Sequence, residues 1–102
     1  MNVYDEIERI LEKNNKTIND IKCLSLQTLK KEFKIFVNSS DNEFGAVLCN
    51  MSNCNYDDNY GSQELFGIIW IKNGDWIERA EYDGSEWWEY KNCPPIPKQL
   101  IN

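Results

Sequence analysis

The amino-acid sequence predicts an α+β domain, with an antiparallel sheet that includes a C-terminal three-stranded meander packed against one or two helices. Three observations predict this fold. The chain has 102 residues, 41% hydrophobic and 13% aromatic, which is typical of a single folded domain spanning residues 1–102. Asn73-Gly74 and Asp83-Gly84 are turn signals, each between β-rich runs. Two segments of the N-terminal half carry apolar residues at helical spacing.

The two helices are predicted over residues 3–13 and 41–51. In the first segment, acidic residues of the opening turn favour the positive end of the helix dipole. The second segment follows a serine-rich N-cap signal. Thr17 and Asp20 resemble a short capping signal, so a further helical turn is predicted within residues 17–22.

Five strands are predicted from runs of β-branched and aromatic residues. Two lie between the helices, and three form the meander. Their predicted bounds are Ile21–Leu26, Glu32–Val37, 65–72, 75–82 and 85–91.

Two-residue turns would fix the register of the meander, since a one-residue slip exchanges the two faces. One face then carries the rows Trp70–Ile77–Tyr90, Ile68–Arg79–Trp88 and Phe66–Glu81–Glu86, and the other carries Ile71–Trp76–Lys91, Ile69–Glu78–Glu89 and Gly67–Ala80–Trp87. Both faces have large apolar side chains, but the helices of so short a chain cover only one well. We therefore expect aromatic residues near solvent on the other face. The alternative is that the loop 52–63 or the proline-rich tail folds over that face.

The composition argues against several kinds of function. The chain has no His, which removes catalytic triads and His-ligated metals. Its longest apolar run, Leu65–Ile71, is too short for a transmembrane helix, and its acidic N-terminus lacks the features of a signal peptide. We expect a cytoplasmic protein that makes no membrane contact. The four cysteines form no closely spaced pair of the kind that zinc sites use, so no metal is expected, and no cofactor is expected either. Reduced thiols are expected because the sequence shows no secretion signal.

The charge is concentrated in one part of the chain. The net charge is −6, but residues 35–90 alone hold 11 acidic and two basic residues, a net of −9. An acidic surface repels nucleic acid and attracts basic grooves, including those that hold DNA or RNA. Direct nucleic-acid binding is therefore not expected. The alternative is that the acidic residues only keep a Trp-rich protein soluble.

Three further features have both a chemical and a structural interpretation. The loop Asn55–Glu64 offers oxygen ligands for Ca²⁺ or Mg²⁺, but a polar connecting loop is favoured because the EF-hand spacing is missed. Glu78 opposite Glu89 suits acid–base catalysis, or is a solvated surface pair. Arg79, near Trp88 and neighbouring glutamates, suits cation–π stacking and ion pairing. Its alternative role is to bind a phosphate or a sugar.

The run Trp76–Lys91, which reads W-I-E-R-A-E-Y-D-G-S-E-W-W-E-Y-K, resembles a segment of small phage and prophage proteins of low-GC bacteria. These commonly show W-L-E-R-x-E-Y-D-G-S-E-W-W-E-[FY]-K followed by Pro, often after a Y-D-x-G-Y-G-x-x-E-like segment. Tyr56–Glu64 is the counterpart of the latter, but has Asn59 where Gly is usual. The resemblance covers residues 55–95 and implies a mobile-element origin. The family is largely uncharacterised, so no functional residues carry over.

Some small acidic phage proteins are anti-CRISPR or other anti-defence inhibitors, and the acidic, aromatic middle of this chain looks like that type. The leading hypothesis is a non-enzymatic phage-type inhibitor that binds a host defence protein, such as a CRISPR effector subunit, through a surface mimicking nucleic acid. The alternatives are a small-molecule module that binds a nucleotide signal through Arg79 and Trp side chains, and an enzyme using Glu78 and Glu89. The candidate partner-binding residues are Asp57, Asp58, Glu64, Trp76, Glu78, Arg79, Glu81, Glu86, Trp87, Trp88 and Glu89.

Overall fold

Five antiparallel strands form one open sheet in the order β2-β1-β3-β4-β5, and two helices pack on one of its faces. The computed structural model describes residues 2–28, 31–54, 65–83, 85–94 and 98–100. Its elements are α1 (Val3–Lys13), β1 (Ile21–Thr28), β2 (Glu32–Ile35), α2 (Asp41–Ser52), β3 (Leu65–Ile71), β4 (Trp76–Tyr82) and β5 (Ser85–Lys91), with short 3₁₀ turns at Ile18–Asp20 and Lys98–Leu100. The α+β fold and its C-terminal meander are as predicted. None of the helices in these ranges is long and apolar enough to cross a membrane.

The helix α1 begins at an N-cap and buries one stripe of apolar side chains. The Asn2 side chain accepts a hydrogen bond from the Asp5 backbone N–H at 2.8 Å, which satisfies one of the free donors of the first turn. Val3, Ile7 and Leu11 then recur at helical spacing and are completely buried. This stripe packs against the sheet.

The helix α2 begins with a reciprocal capping box. The Glu43 backbone N–H donates to the Ser40 hydroxyl at 3.2 Å, and the Ser40 backbone N–H donates to the Glu43 carboxylate at 3.3 Å. Met51 at the far end is completely buried, while Phe44 and Val47 are half-buried against the core. This helix covers the part of the sheet formed by β2.

The strands β1 and β2 form the half of the sheet that precedes α2. Leu24 pairs with Ile35 and Leu26 with Phe33, and all four side chains are buried below the helices. The strand β2 ends two residues before its predicted end because the chain turns there. The Phe36 backbone N–H donates to the Ser39 hydroxyl at 2.8 Å instead of continuing the ladder.

The predicted register of the first meander hairpin is wrong by one residue. Its loop contains three residues, 72–74, so Trp70 lies opposite Trp76 rather than Ile77. The Ile71 N–H donates to the Asp75 carbonyl at 2.8 Å, and Gly74 has a φ of 98°. A three-residue loop with a glycine in this left-handed region is a type I turn followed by a bulge. Asn-Gly fits that loop as well as the two-residue turn.

This slip exchanges the two faces of β3. The core receives Leu65, Ile69 and Ile71, whereas Phe66 and Trp70 are exposed on the opposite side. The second hairpin has the predicted register, which confirms the rows formed by β4 and β5. The faces of β4 and β5 are therefore as predicted, and those of β3 are inverted.

Candidate functional site: the open face of the sheet

The candidate site is the face of the sheet opposite the two helices, here named the open face. On β3, β4 and β5 its side chains are those of Phe66, Ile68, Trp70, Trp76, Glu78, Ala80, Tyr82, Ser85, Trp87, Glu89 and Lys91. The pleat places alternate residues of each strand on this side. The helices cover the other side, which contains the hydrophobic core.

Aromatic side chains dominate the open face. The exposed fractions are 43% for Phe66, 41% for Trp70, 39% for Trp87 and 76% for Tyr82. Trp76, directly opposite Trp70, is half-buried. Isolated exposed apolar residues are common on protein surfaces, but five aromatic residues on three adjacent strands form a patch of the kind that marks an interaction surface.

A short charged cluster crosses the same face. Glu78 lies directly opposite Glu89, as predicted, and the Lys91 Nζ atom is 3.7 Å from Glu78 Oε1 and 3.2 Å from Glu89 Oε2. Like charges opposite each other destabilise a sheet, so Lys91 compensates this pair. The hydrogen bond to Glu89 raises the pKa of Lys91, together with the nearby negative charges. The arrangement is that of a partly solvated ion-pair cluster.

The structure places Arg79, Glu86 and Trp88, three of the candidate partner-binding residues, on the helix-covered face, where all three are buried. Arg79 Nε lies 3.3 Å from Glu86 Oε1, and its Nη1 atom forms an ion pair with Glu6 of α1. The guanidinium carbon lies 5.1 Å from the centre of the Trp88 ring, which confirms the predicted stacking. These residues join α1 to β4 and β5.

The remaining predicted residues fall into three groups. Trp76, Glu78, Trp87 and Glu89 lie together on the open face. Glu81 is exposed at the end of β4 opposite Glu86, on the helix side of the pleat. The other three, Asp57, Asp58 and Glu64, lie outside the described residues, as does the whole of the loop Asn55–Glu64 considered for Ca²⁺ or Mg²⁺.

Three of the aromatic residues that define the site, Phe66, Trp70 and Tyr82, are absent from the predicted set. Phe66 and Trp70 were expected on the same face as Ile77 and Arg79, which is the helix-covered face. The open face is therefore more aromatic than the predicted register implied. The two registers of the β3–β4 hairpin differ in the length of its loop, two residues or three, and the dipeptide Asn73-Gly74 fits both lengths.

A buried aspartate holds that loop in place. Asp75 accepts hydrogen bonds from the Tyr90 hydroxyl at 2.6 Å and from the Cys93 backbone N–H at 2.6 Å. The hydrogen bond from the Cys93 N–H is the main cause of a lowered pKa at Asp75, and the bond from the Tyr90 hydroxyl is the next. Burial acts in the opposite direction but is outweighed. Burial, followed by the hydrogen bond to Asp75, raises the pKa of Tyr90 to about 12. This network ties the chain after β5 to the β3–β4 loop.

The cysteines form no disulfide, and they differ in exposure: Cys54 is buried, Cys23 is half-buried, and Cys49 and Cys93 are exposed. Within the described ranges no three His, Cys, Asp or Glu side chains are grouped as a metal site would require. No family model, curated protein or solved structure matches this chain. The geometry of the open face is therefore the main support for a function.

Proposed function

We propose that the protein is a non-enzymatic binding protein that docks a partner protein on its open face. The observation that carries this proposal is the aromatic patch formed by Phe66, Trp70, Trp76, Tyr82 and Trp87 on the side of three strands that faces away from the two helices. Trp and Tyr are enriched among the residues that contribute most to protein–protein binding. No helix of the described residues lies over this face, and an open sheet surface suits a large partner better than a small ligand.

The charge of the open face defines how the partner is recognised. Across the whole described face, three acidic residues, Glu32, Glu78 and Glu89, are set against Lys34 and Lys91. This near balance indicates that aromatic contacts contribute most of the binding free energy at the face itself. The acidic charge of residues 35–90 would act at longer range, steering a partner with a basic surface.

The partner that fits this pattern is a host defence protein with a basic, nucleic-acid-binding groove, such as a CRISPR effector subunit. The likeness of Trp76–Lys91 to phage proteins supports an anti-defence role. In this proposal the protein occupies the groove or its rim and excludes nucleic acid. The remaining acidic surface would supply the negative potential that nucleic acid otherwise supplies.

The two alternative functions depend on residues that the structure places in other roles. A nucleotide-binding module was expected to use Arg79, but this side chain is buried and engaged by Glu6 and Glu86. An enzyme was expected to use Glu78 and Glu89, but both pair with the same lysine on an open surface. No observation favours either alternative over partner docking.

The first test compares Trp70→Ala/Trp87→Ala with Phe36→Ala, an aromatic control that is 61% exposed and lies outside the sheet. A partner is captured from host lysate by the unaltered protein, identified by mass spectrometry, purified, and measured by biolayer interferometry. The double variant should weaken its affinity by about 700-fold, since buried interface Trp residues contribute about 2 kcal/mol each and every 1.4 kcal/mol is tenfold. Phe36→Ala should bind as the unaltered protein does.

Two further measurements complete the test. The dissociation constant should rise with salt concentration, because a charge-steered association is screened. Expression of the protein in a bacterium with an active defence system should restore plaque formation by a targeted phage, and the double variant should not. Full affinity in the double variant, with circular dichroism and melting temperature unchanged, would place the interface elsewhere.

A further inference from the structure

A second candidate site lies at the opposite side of the sheet, at one end. A groove of about 390 Å³ opens where the start of β1, the chain after β2, the first turn of α2 and the β3–β4 loop meet. Its floor includes the buried side chains of Ile21 and Ile35. Its walls include Phe36 and Val37, both largely exposed, and the half-buried Phe44. A cavity of this volume is at the lower end of the range for small-ligand sites.

A lysine beside a β-bulge lines this groove. Along β1, Ile21 pairs with Ile71 and Cys23 with the preceding residue of β3, Trp70, so Lys22 is the extra residue of the bulge. Alternation from the buried Leu24 places Lys22 on the helix side of β1, and the bulge adds Ile21 to the same side. Lys22 is exposed there and lines the groove. Bulges commonly re-aim side chains beside functional sites.

A second lysine reaches the same groove from the β3–β4 loop. The Lys72 backbone N–H donates to the Asp20 carbonyl at 2.9 Å, which holds the loop against the 3₁₀ turn that precedes β1. Both Lys22 and Lys72 are exposed, and neither forms an ion pair with a described residue. Asp41 is the acidic residue that lines the groove. The lining is therefore positive in a protein whose net charge is −6.

We propose that this groove binds a small organic anion that has an aromatic or aliphatic body. The two ammonium groups at the rim would hold the anionic group through charge-assisted hydrogen bonds. The apolar floor and walls would bury the body of the ligand. This site is separate from the open face and adds a ligand-binding activity to the proposed partner docking.

The probe for this site is naphthoate, and naphthamide is its uncharged counterpart of nearly the same shape. In an amide NMR titration of the full chain, naphthoate should shift the signals of Ile21, Phe36 and Phe44. Naphthamide should bind about tenfold more weakly or worse, because it lacks the charge that the lysines recognise. Phe36→Ala should weaken both probes, since Phe36 forms a wall rather than a charge contact.

Charge variants complete the test. The double variant Lys22→Gln/Lys72→Gln should lower naphthoate affinity by about tenfold or more. It should leave naphthamide unaffected. The matched control is Lys34→Gln, an exposed lysine on the other side of the sheet, which should change neither. Equal binding of the two probes, unaltered binding to the double variant, or shifts confined to Trp70 and Trp87 would overturn the proposal. Substitution of exposed lysines should not unfold the protein, and the melting temperature checks this.

Discussion

The buried charge cluster below α1 permits a quantitative prediction. In Arg79→Leu, Glu86 loses its ionic partner, although only 1% of its side chain is exposed to solvent. Removing one member of a buried ion pair costs about 3–5 kcal/mol, because the remaining charge is left in a poorly solvated site. A small domain has about 5–15 kcal/mol of total stability. At about 4 °C or more per kcal/mol, the melting temperature should therefore fall by about 12 °C or more.

The matched variant is Arg79→Leu/Glu86→Leu, which removes both charges and keeps apolar volume in the site. Replacing a buried ion pair by hydrophobic residues is often neutral, so the double variant should recover part of the loss. The recovery is incomplete because the buried Leu65 backbone N–H, which donates to Glu86 Oε1 at 3.1 Å, loses that acceptor. Glu6 is 15% exposed and remains hydrated enough to tolerate the loss of Arg79. Urea unfolding followed by far-UV circular dichroism gives both free energies. A double variant no more stable than Arg79→Leu would refute this account of the cluster.

Two further predictions concern the β3 strand and its loop. Gly67→Ala should strongly destabilise the fold, as measured by urea unfolding. An added Cβ would clash with a backbone oxygen of β1, and the φ of Gly67, 145°, is one that side-chain-bearing residues rarely adopt. Stability equal to that of the unaltered protein would contradict this close approach. Stability should fall as pH drops through the lowered pKa of Asp75. It should also fall as pH rises from 10 to about 12, since the pKa of Tyr90 is raised to about 12 and its neutral form stabilises the fold below pH 10. In Asp75→Asn the acid-side loss should disappear, and ultraviolet titration should show Tyr90 ionising at lower pH; an unchanged Tyr90 titration would show that the aspartate has no part in its pKa.

Local sequence signals were sufficient for the helices and for the second hairpin. The apolar spacing of α1 and the Ser40 capping signal of α2 act within one or two turns of helix, so no distant contact is needed. Asp83-Gly84 joins strands whose observed pairing, Tyr82 with Ser85, is the one that a two-residue turn requires. Asp83 has a φ of 52°, as such a turn demands.

Non-local contacts explain what the sequence could not predict. The Arg79 neighbours within its hairpin, Glu86 and Trp88, follow from the register, but Glu6 lies 73 residues away in the chain. No spacing rule connects a residue of α1 to a residue of β4. For that reason the ion pair of Arg79 with Glu6 and its burial below α1 could not be predicted, although its contacts with Trp88 and Glu86 could.

The length of the β3–β4 loop is set in the same non-local way. Asp75 directly precedes β4, and its carboxylate is held by Tyr90 and Cys93, which are 15 and 18 residues away. The Asn73 side chain, which accepts a hydrogen bond from the Asp75 N–H at 3.0 Å, strengthens the three-residue loop. These contacts select one of two loops that fit Asn-Gly equally well.

The same loop determines the chemistry of the open face. With a two-residue loop, Ile69 and Ile71 would lie on the open face, and Trp70 would lie below the helices. An open face of that kind would be aliphatic on β3, and aliphatic residues such as Leu and Val are under-represented among the strongest interface contacts. The three-residue loop instead places Trp70 beside Trp76 on the open face. A buried aspartate at the end of the sheet therefore determines which residues the protein presents to its proposed partner.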